Sequence, residues 1–147
     1  MTKYSNLVLS TLLWFFGGTL YFLLEVAYKS LTGHPERISW TMLLLAIILT
    51  IPIERCGEEL PWSCPLWVQS TACTILVTAA ELVAGLILNV WLGLCIWDYS
   101  NLPFNFLGQI CPQYMVVWWA LCLMFVPAFD WLRWAVLGGE KPQYSFF

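Results

Sequence analysis

Charge is scarce in this chain. Six Lys and Arg and nine Asp and Glu are spread over 147 residues, so charged residues make up 10% of it. An ordinary soluble domain carries about 25%. A water-soluble fold of this size lacks the charge to cover its outside. Basic patches are lacking too. The net charge is −3 and the cations are scattered, which excludes a nucleic-acid partner. Histidine is nearly absent: His34 stands alone and no CxxC pair occurs, so no haem, metal site or other cofactor is expected. Intrinsic disorder requires low hydrophobicity, and this chain is 61% hydrophobic. What is present instead is long apolar runs and ten Trp.

Leu7 to Tyr28 is the first run, 22 residues interrupted by Glu25. It is long enough to span a bilayer and too long for the apolar region of a signal peptide, so an uncleaved helix is expected. Lys29 to Arg37 reads as a polar loop. Ile38 to Ile53 is a second, shorter run with Pro52 near its end, and Glu54 to Pro65 reads as the loop after it. Leu66 to Trp97 is the third run, with Glu81 and Asn89 inside it. Wholly helical, its 32 residues would reach about 48 Å, against a hydrocarbon core of about 30 Å. It must tilt, project, or break near Asn89 or Gly93. Asp98 to Gln109 is a polar loop, Ile110 to Leu132 the fourth run, and Gly138 onward a short polar tail. Residues 1–147 therefore read as a single transmembrane domain. The fold class is an all-α, polytopic helix bundle with four spans (7–28, 38–53, 66–97, 110–132), or five if the third run breaks.

Four spans place both termini on one side. That side and the second loop carry Lys3, Arg55, Arg133 and Lys141, against Lys29 and Arg37 opposite. Positive charge favours the cytoplasmic face, so the termini are expected there. Cys73, Cys95, Cys111 and Cys122 read as small apolar fillers. Cys56 and Cys64 share a loop that this orientation puts in the cytoplasm, where free thiols are expected.

Ionisable residues within a span cost roughly 2.5–3.5 kcal/mol each on insertion scales, which makes each a functional hypothesis. Ser70, Thr74, Thr78, Glu81, Gly85 and Asn89 recur at three or four and share one helix face. That stripe must face other helices or a water-filled cavity. Gly85 would admit a neighbouring backbone. Ser10, Trp14, Gly18, Tyr21 and Glu25 form a parallel stripe, with Gly17 and Gly18 suited to tight helix packing. Glu81 reads either as a proton or cation site or as hydrogen-bonded glue between helices. Glu25 reads either as a pathway residue or as an interfacial carboxylate. Asp130 and Arg133 have the spacing of an i,i+3 ion pair at the interface. Trp62, Trp67, Trp97, Trp131 and Trp134 read as an aromatic belt near span ends. Trp118 and Trp119 read as packing.

The loop from Trp97 to Gln109 mixes aromatics with Asp98, Ser100, Asn101, Asn105 and Gln109. It either dips back into the protein, where protein or water can satisfy its backbone, or forms an ordered surface turn anchored by Asp98.

The block Trp97-Asp98-Tyr99-Ser100, Leu102-Pro103-Phe104-Asn105 and Gly108-Gln109-Ile110-Cys111 resembles the CmpB-like bacterial family of ABC-transporter type IV integral membrane proteins. Gly17-Gly18 with Tyr21 and Glu25, Ser39-Trp40-Thr41-Met42, Glu81 with Gly85 and Asn89, Asp130 with Arg133, and Glu140-Lys141-Pro142 extend the resemblance over nearly the whole chain. Phe129 departs from it, standing where relatives tend to carry a second acid, as does the loop His34-Pro35-Glu36-Arg37. The resemblance implies a transporter permease in a bacterial plasma membrane. The chain has no Walker A sequence, so it binds no ATP by that route.

A small transporter or channel-like protein is the first expectation. It would act as a homo-oligomer or with a partner membrane subunit in the lipid bilayer, because four short helices leave little room for a private path. Glu81 and Glu25 would be its ionisable path residues, and Asn89, Asp98, Asn105 and Gln109 its polar mouth or gate. A non-transporting membrane adaptor is the second reading. A membrane enzyme using Asp98 and Glu81 as acid and base on a lipid-like substrate is the third. No nucleophile–base pair supports an enzyme.

Overall fold

In a bilayer every backbone amide must be satisfied within the protein, and a helix does this within one segment. The computed structural model describes residues 3–145, and these form four long helices. They are α1 (Lys3–Leu31), α2 (Thr41–Glu59), α3 (Leu66–Gly85, continued as a π-helical segment over Leu86–Trp91) and α4 (Pro112–Leu137). A single 3₁₀ turn, Pro35–Arg37, lies between α1 and α2. Among the described residues no strand forms beyond an isolated bridge of Phe106 with Ile110. The side chain of Lys3, one of the orientation cations, lies outside the described part.

The helices run up, down, up and down. Ser10 near the start of α1 meets Arg133 near the end of α4, and the Leu66 N–H at the start of α3 donates to the Ser145 carbonyl. The start of α1, the ends of α2 and α4 and the chain after α4 thus share one end of the bundle, the Arg133 end. The Tyr99 loop caps the other end. α2 packs against α1, α3 and α4, whereas α1 packs chiefly on α2. The core is built from Leu13, Leu45, Leu49, Val77, Val126 and Phe129. Leu12, Phe15, Ile75, Val83, Val116 and Met124 point outward and exposed. Helices that are apolar on their outer faces as well belong in lipid.

Three segments are long and apolar enough to cross a membrane: Asn6–Leu31, Leu66–Trp91 and Pro112–Val136. The protein is therefore an integral membrane protein in contact with the bilayer. α2 departs from the expected run of 38–53 and the loop after it. Its helix continues through Glu54, Arg55, Glu58 and Glu59. A charge ends an apolar run on paper. Here the Glu54 carboxylate is compensated by a distant cation, so the helix need not stop.

The third run does break, between the two positions expected. Leu86–Trp91 adopts i→i+5 bonding, and the chain leaves the helix at Leu92 and Gly93, the latter in the left-handed region at φ +66°. No fifth helix follows among the described residues. Lys29 is a buried residue of α1 rather than the start of a loop. Gly17 and Gly18 lie in the α1–α2–α4 contact. A Cβ on Gly18 would stand 2.6 Å from the Ile47 backbone, and one on Gly17 would stand 2.9 Å from Thr50 and against the Phe129 ring. Gly85 admits a side chain rather than a backbone, since Gln109 fills the space beside it. The tail after Gly138 packs on the bundle end instead of trailing away, with Pro142 buried.

All six cysteines are free thiols. Cys73, Cys111 and Cys122 are buried fillers, but Cys95 is exposed on the loop in a left-handed conformation at φ +48°.

Candidate functional site

Glu81 sits on the inward face of α3 and is 6% exposed. Its two carboxylate oxygens accept from two different elements. Tyr99 Oη donates to Oε1 at 3.1 Å and Trp118 Nε1 of α4 donates to Oε2 at 3.0 Å. Among the described residues no cation lies within ion-pair distance of Glu81. Glu25 of α1 faces the same small cavity of about 30 Å³, bounded further by Tyr21, Leu45, Trp97 and Tyr99. That is space for about one water molecule. Glu25 does have a cation: Lys29 Nζ stands 2.8 Å from its Oε1. Lys29 also donates to the carbonyls of Arg37 at 3.0 Å and Ile96 at 3.2 Å. An ammonium has three donors, so Lys29 is fully engaged.

The loop Trp97–Gln109 folds back over the end of α3, and its polar residues hold its own shape. Asn105 Nδ2 donates to the Leu102 carbonyl at 2.8 Å, and its Oδ1 accepts from the Gly108 N–H at 3.0 Å. Gln109 is buried beside Gly85. Its Oε1 accepts from Asn89 Nδ2 at 2.9 Å, and its carbonyl accepts from Trp97 Nε1 at 3.0 Å. Asn89, on the π-helical segment, accepts from the Ile96 N–H at 2.7 Å. Asp98 is exposed and takes both the hydroxyl and the N–H of Ser100, which hold its carboxyl below the usual carboxylate range. This frame carries Tyr99, stacked on Tyr114 at 4.4 Å, to Glu81. Of the six residues expected along a path, the cavity brings together Glu25 and Glu81. Asn89, Asn105 and Gln109 brace the loop that closes it, and Asp98 lies on that loop's outer side.

Two tryptophans depart from the expected roles. Trp97 is buried and bonds Gln109 instead of joining an interfacial belt, and Trp118 holds Glu81 rather than only packing.

A second buried charge cluster lies at the Arg133 end. Glu54, 1% exposed, pairs with Arg133, which also meets Glu58 at 2.6 Å. Ser10 accepts from Arg133 at 2.8 Å and donates to Glu54 Oε1 at 3.1 Å, while Trp14 Nε1 donates to Oε2 at 2.9 Å. Asp130 is not the partner of Arg133. It receives the Tyr144 hydroxyl and lies against Gly57. The i,i+3 pairing expected from spacing is thus replaced by a pairing across helices. The Ser10–Trp14 end of the α1 stripe was the sequence signal for it. Between the two clusters Leu49, Phe125 and Phe129 surround a void of about 20 Å³ beside Thr50, and Ser70, Thr74 and Thr78 of α3 are buried at the same depth of the bundle.

A family model described as "Putative ABC-transporter type IV" matches residues 12–138. The chain belongs to this family. The match takes in Glu25, Glu54, Glu81, Asp130 and Arg133, so both carboxylate clusters fall inside the family's common region. Ser10 and Tyr144 fall outside it. No solved structure matches the chain.

Proposed function

We propose that this family member is the membrane part of a transporter, in which Glu81 takes up a proton or a small cation beside Glu25. One observation carries the reading. A carboxylate buried in a bundle core is held by two neutral donors and, among the described residues, by no cation, and it borders a cavity with a second carboxylate. Charges left uncompensated in low dielectric are costly, so such a group marks an ion route more readily than a brace.

The bundle crosses the membrane four times. α2 is the fourth span, its 19 residues reaching about 28 Å along the helix axis. The apolar zone around Leu49 and Phe129 separates the two charged ends and gates by excluding water. The Trp97–Gln109 loop dips towards the core as the lid over Glu81. The termini are cytoplasmic in a bacterial plasma membrane. A second copy or a partner subunit completes the path, since the cavity beside Glu81 holds only about 30 Å³. An ATP-binding chain would be such a partner, and this chain performs no chemistry itself.

The adaptor reading is favoured by one feature, the tip of the loop. Phe104 is 88% exposed there, beside exposed Phe106 and Leu107, and could seat a partner.

The test is electrogenic flux in proteoliposomes under a proton or cation gradient. Wild type is compared with Glu81→Gln and Glu25→Gln at equal incorporation. Current that both variants lose supports the ion route. Equal currents in wild type and Glu81→Gln overturn it. No current, with a stoichiometric partner recovered through the loop tip, favours the adaptor.

A further inference from the structure

The chain from Trp91 to Gln109 carries one charge, Asp98, and much of it is turned inside out for a loop in water. Its polar groups close on one another. Asn105 joins the Leu102 carbonyl to the Gly108 N–H, Gln109 Nε2 donates to the Leu107 carbonyl at 3.1 Å, and the Phe106 N–H donates to the Ile110 carbonyl at 2.8 Å. Its apolar side chains face outward. Phe104 is 88% exposed, and Phe106 and Leu107 are exposed beside it. Phe104 and Leu107 hold φ at +59° and +53°. Bulky residues are uncommon in that left-handed region and stay there only where the surrounding structure imposes it. Here both bring an apolar side chain to the surface.

Position decides what covers this surface. The Pro103 carbonyl accepts from Gln113 Nε2 at 3.2 Å. Gln113 lies in the first turn of α4, on the exposed face that continues one turn later through Val116 and Val117. The tip is thus tied to the outer flank of α4 instead of standing clear of the bundle. On the α3 side, Val83, Ile87, Val90 and Trp91 form an exposed apolar stripe that leads into Leu92 and Leu94. The tip continues the surface that both helices give to lipid. The 26 residues of α4 reach about 39 Å. That exceeds the hydrocarbon core of about 30 Å and approaches the roughly 40–45 Å that includes the headgroups. A helix filling that thickness places its first turn at headgroup level. The loop also exposes Asp98, Ser100 and Asn101. An apolar face joined to a polar one is the pattern of a segment lying in the interface.

We propose that the Phe104–Leu107 tip is seated in the surrounding bilayer, at the boundary of headgroups and acyl chains. The apolar tip meets the acyl chains, while Asp98, Ser100 and Asn101 stay among hydrated headgroups. The internal hydrogen bonds make irregular backbone tolerable there, since acyl chains offer it no partners. The same loop carries Tyr99, so its seat in lipid sets the height of that ring. The placement holds with or without an ion route at Glu81.

The experiment uses the full chain in phosphatidylcholine nanodiscs. Cys56, Cys64 and Cys95, the thiols that are not buried, are replaced by Ser. A nitroxide is then attached at Phe104→Cys or Leu107→Cys. Val116→Cys serves as the lipid-facing reference, and Asn101→Cys and Gly139→Cys as the water-facing ones. Collisions with oxygen, which partitions into lipid, are compared with collisions with a water-soluble nickel chelate. The oxygen-to-nickel ratio at 104 and 107 should match that at 116 and exceed that at 101 and 139 several-fold. A ratio at 104 and 107 equal to that at 139 overturns the proposal by placing the tip in water. Shielding of 104 and 107 from both reagents also overturns it, and gives the surface to a second copy or a protein partner. The unsubstituted chain guards against a disturbed loop. A photoactivated carbene carried on a lipid acyl chain should mark the peptide holding Phe104–Leu107 as well as α4. Marking of α4 without that peptide overturns the proposal.

Discussion

Replacing Arg133 with Met tests the pairing across helices most severely. Arg133 is the cation for Glu54, which is 1% exposed, and it also holds Glu58 and Ser10. In Arg133→Met the Glu54 carboxylate keeps Ser10 and Trp14 as donors but loses the one charge partner it has among the described residues. Breaking one side of a buried ion pair costs about 3–5 kcal/mol, because the remaining charge is stranded. A change of 1 kcal/mol moves the melting temperature of a chain this size by about 2–4 °C, so a fall on the order of 10 °C is expected. Glu54→Gln on the Arg133→Met background removes the stranded charge and should recover most of that fall. The assay is thermal unfolding in detergent micelles, followed by circular dichroism, for both single variants and the double. A loss below about 1 kcal/mol would refute the reasoning, since that is the behaviour of an exposed pair. A double variant no more stable than Arg133→Met would refute it equally.

Two further outcomes follow from the packing. Gly18→Val should destabilise by about 1–3 kcal/mol or more, because its side chain enters the Ile47 backbone; Gly139→Ala, with open space around it, should stay within about 0.5 kcal/mol. A Gly18→Val protein melting with wild type would contradict the close α1–α2 approach. Maleimide labelling of the folded protein, read by mass spectrometry, should mark Cys95 first and leave Cys73 and Cys122 unlabelled until unfolding. Early labelling of Cys73 would contradict the buried core.

The helices were legible because apolar runs and their length are local properties. That the third run is too long for one straight span was legible too; that it breaks through a π-helical segment, rather than tilting or projecting, was not. The charge cluster at Arg133 was not. Arg133 meets Glu54 across 79 residues of sequence, and a run-length reading ends a span at the first charge, so Glu54 fell into a loop. Asp130 was then the nearest acid in sequence and drew the expected pairing. Trp97 and Trp118 show the same blindness. A tryptophan near a span end or mid-span reads as belt or filler, since sequence does not display where an indole N–H points. The loop left two readings open, a re-entrant segment or an ordered surface turn, because its polar residues suit either. Its packing on α3 rests on Gln109 filling the space that Gly85 leaves, a complementarity between residues in different elements that no local pattern displays.

Glu81 is the hinge of the functional account, and its proton exchange is measurable directly. Infrared difference spectra of the reconstituted protein between two pH values report carboxyl groups that gain or lose a proton. A buried-carboxyl band should respond to bulk pH, disappear in Glu81→Gln and persist in Asp130→Asn. A spectrum unchanged by Glu81→Gln would mean that Glu81 is a sealed brace between Tyr99 and Trp118, and the ion route would fall with it.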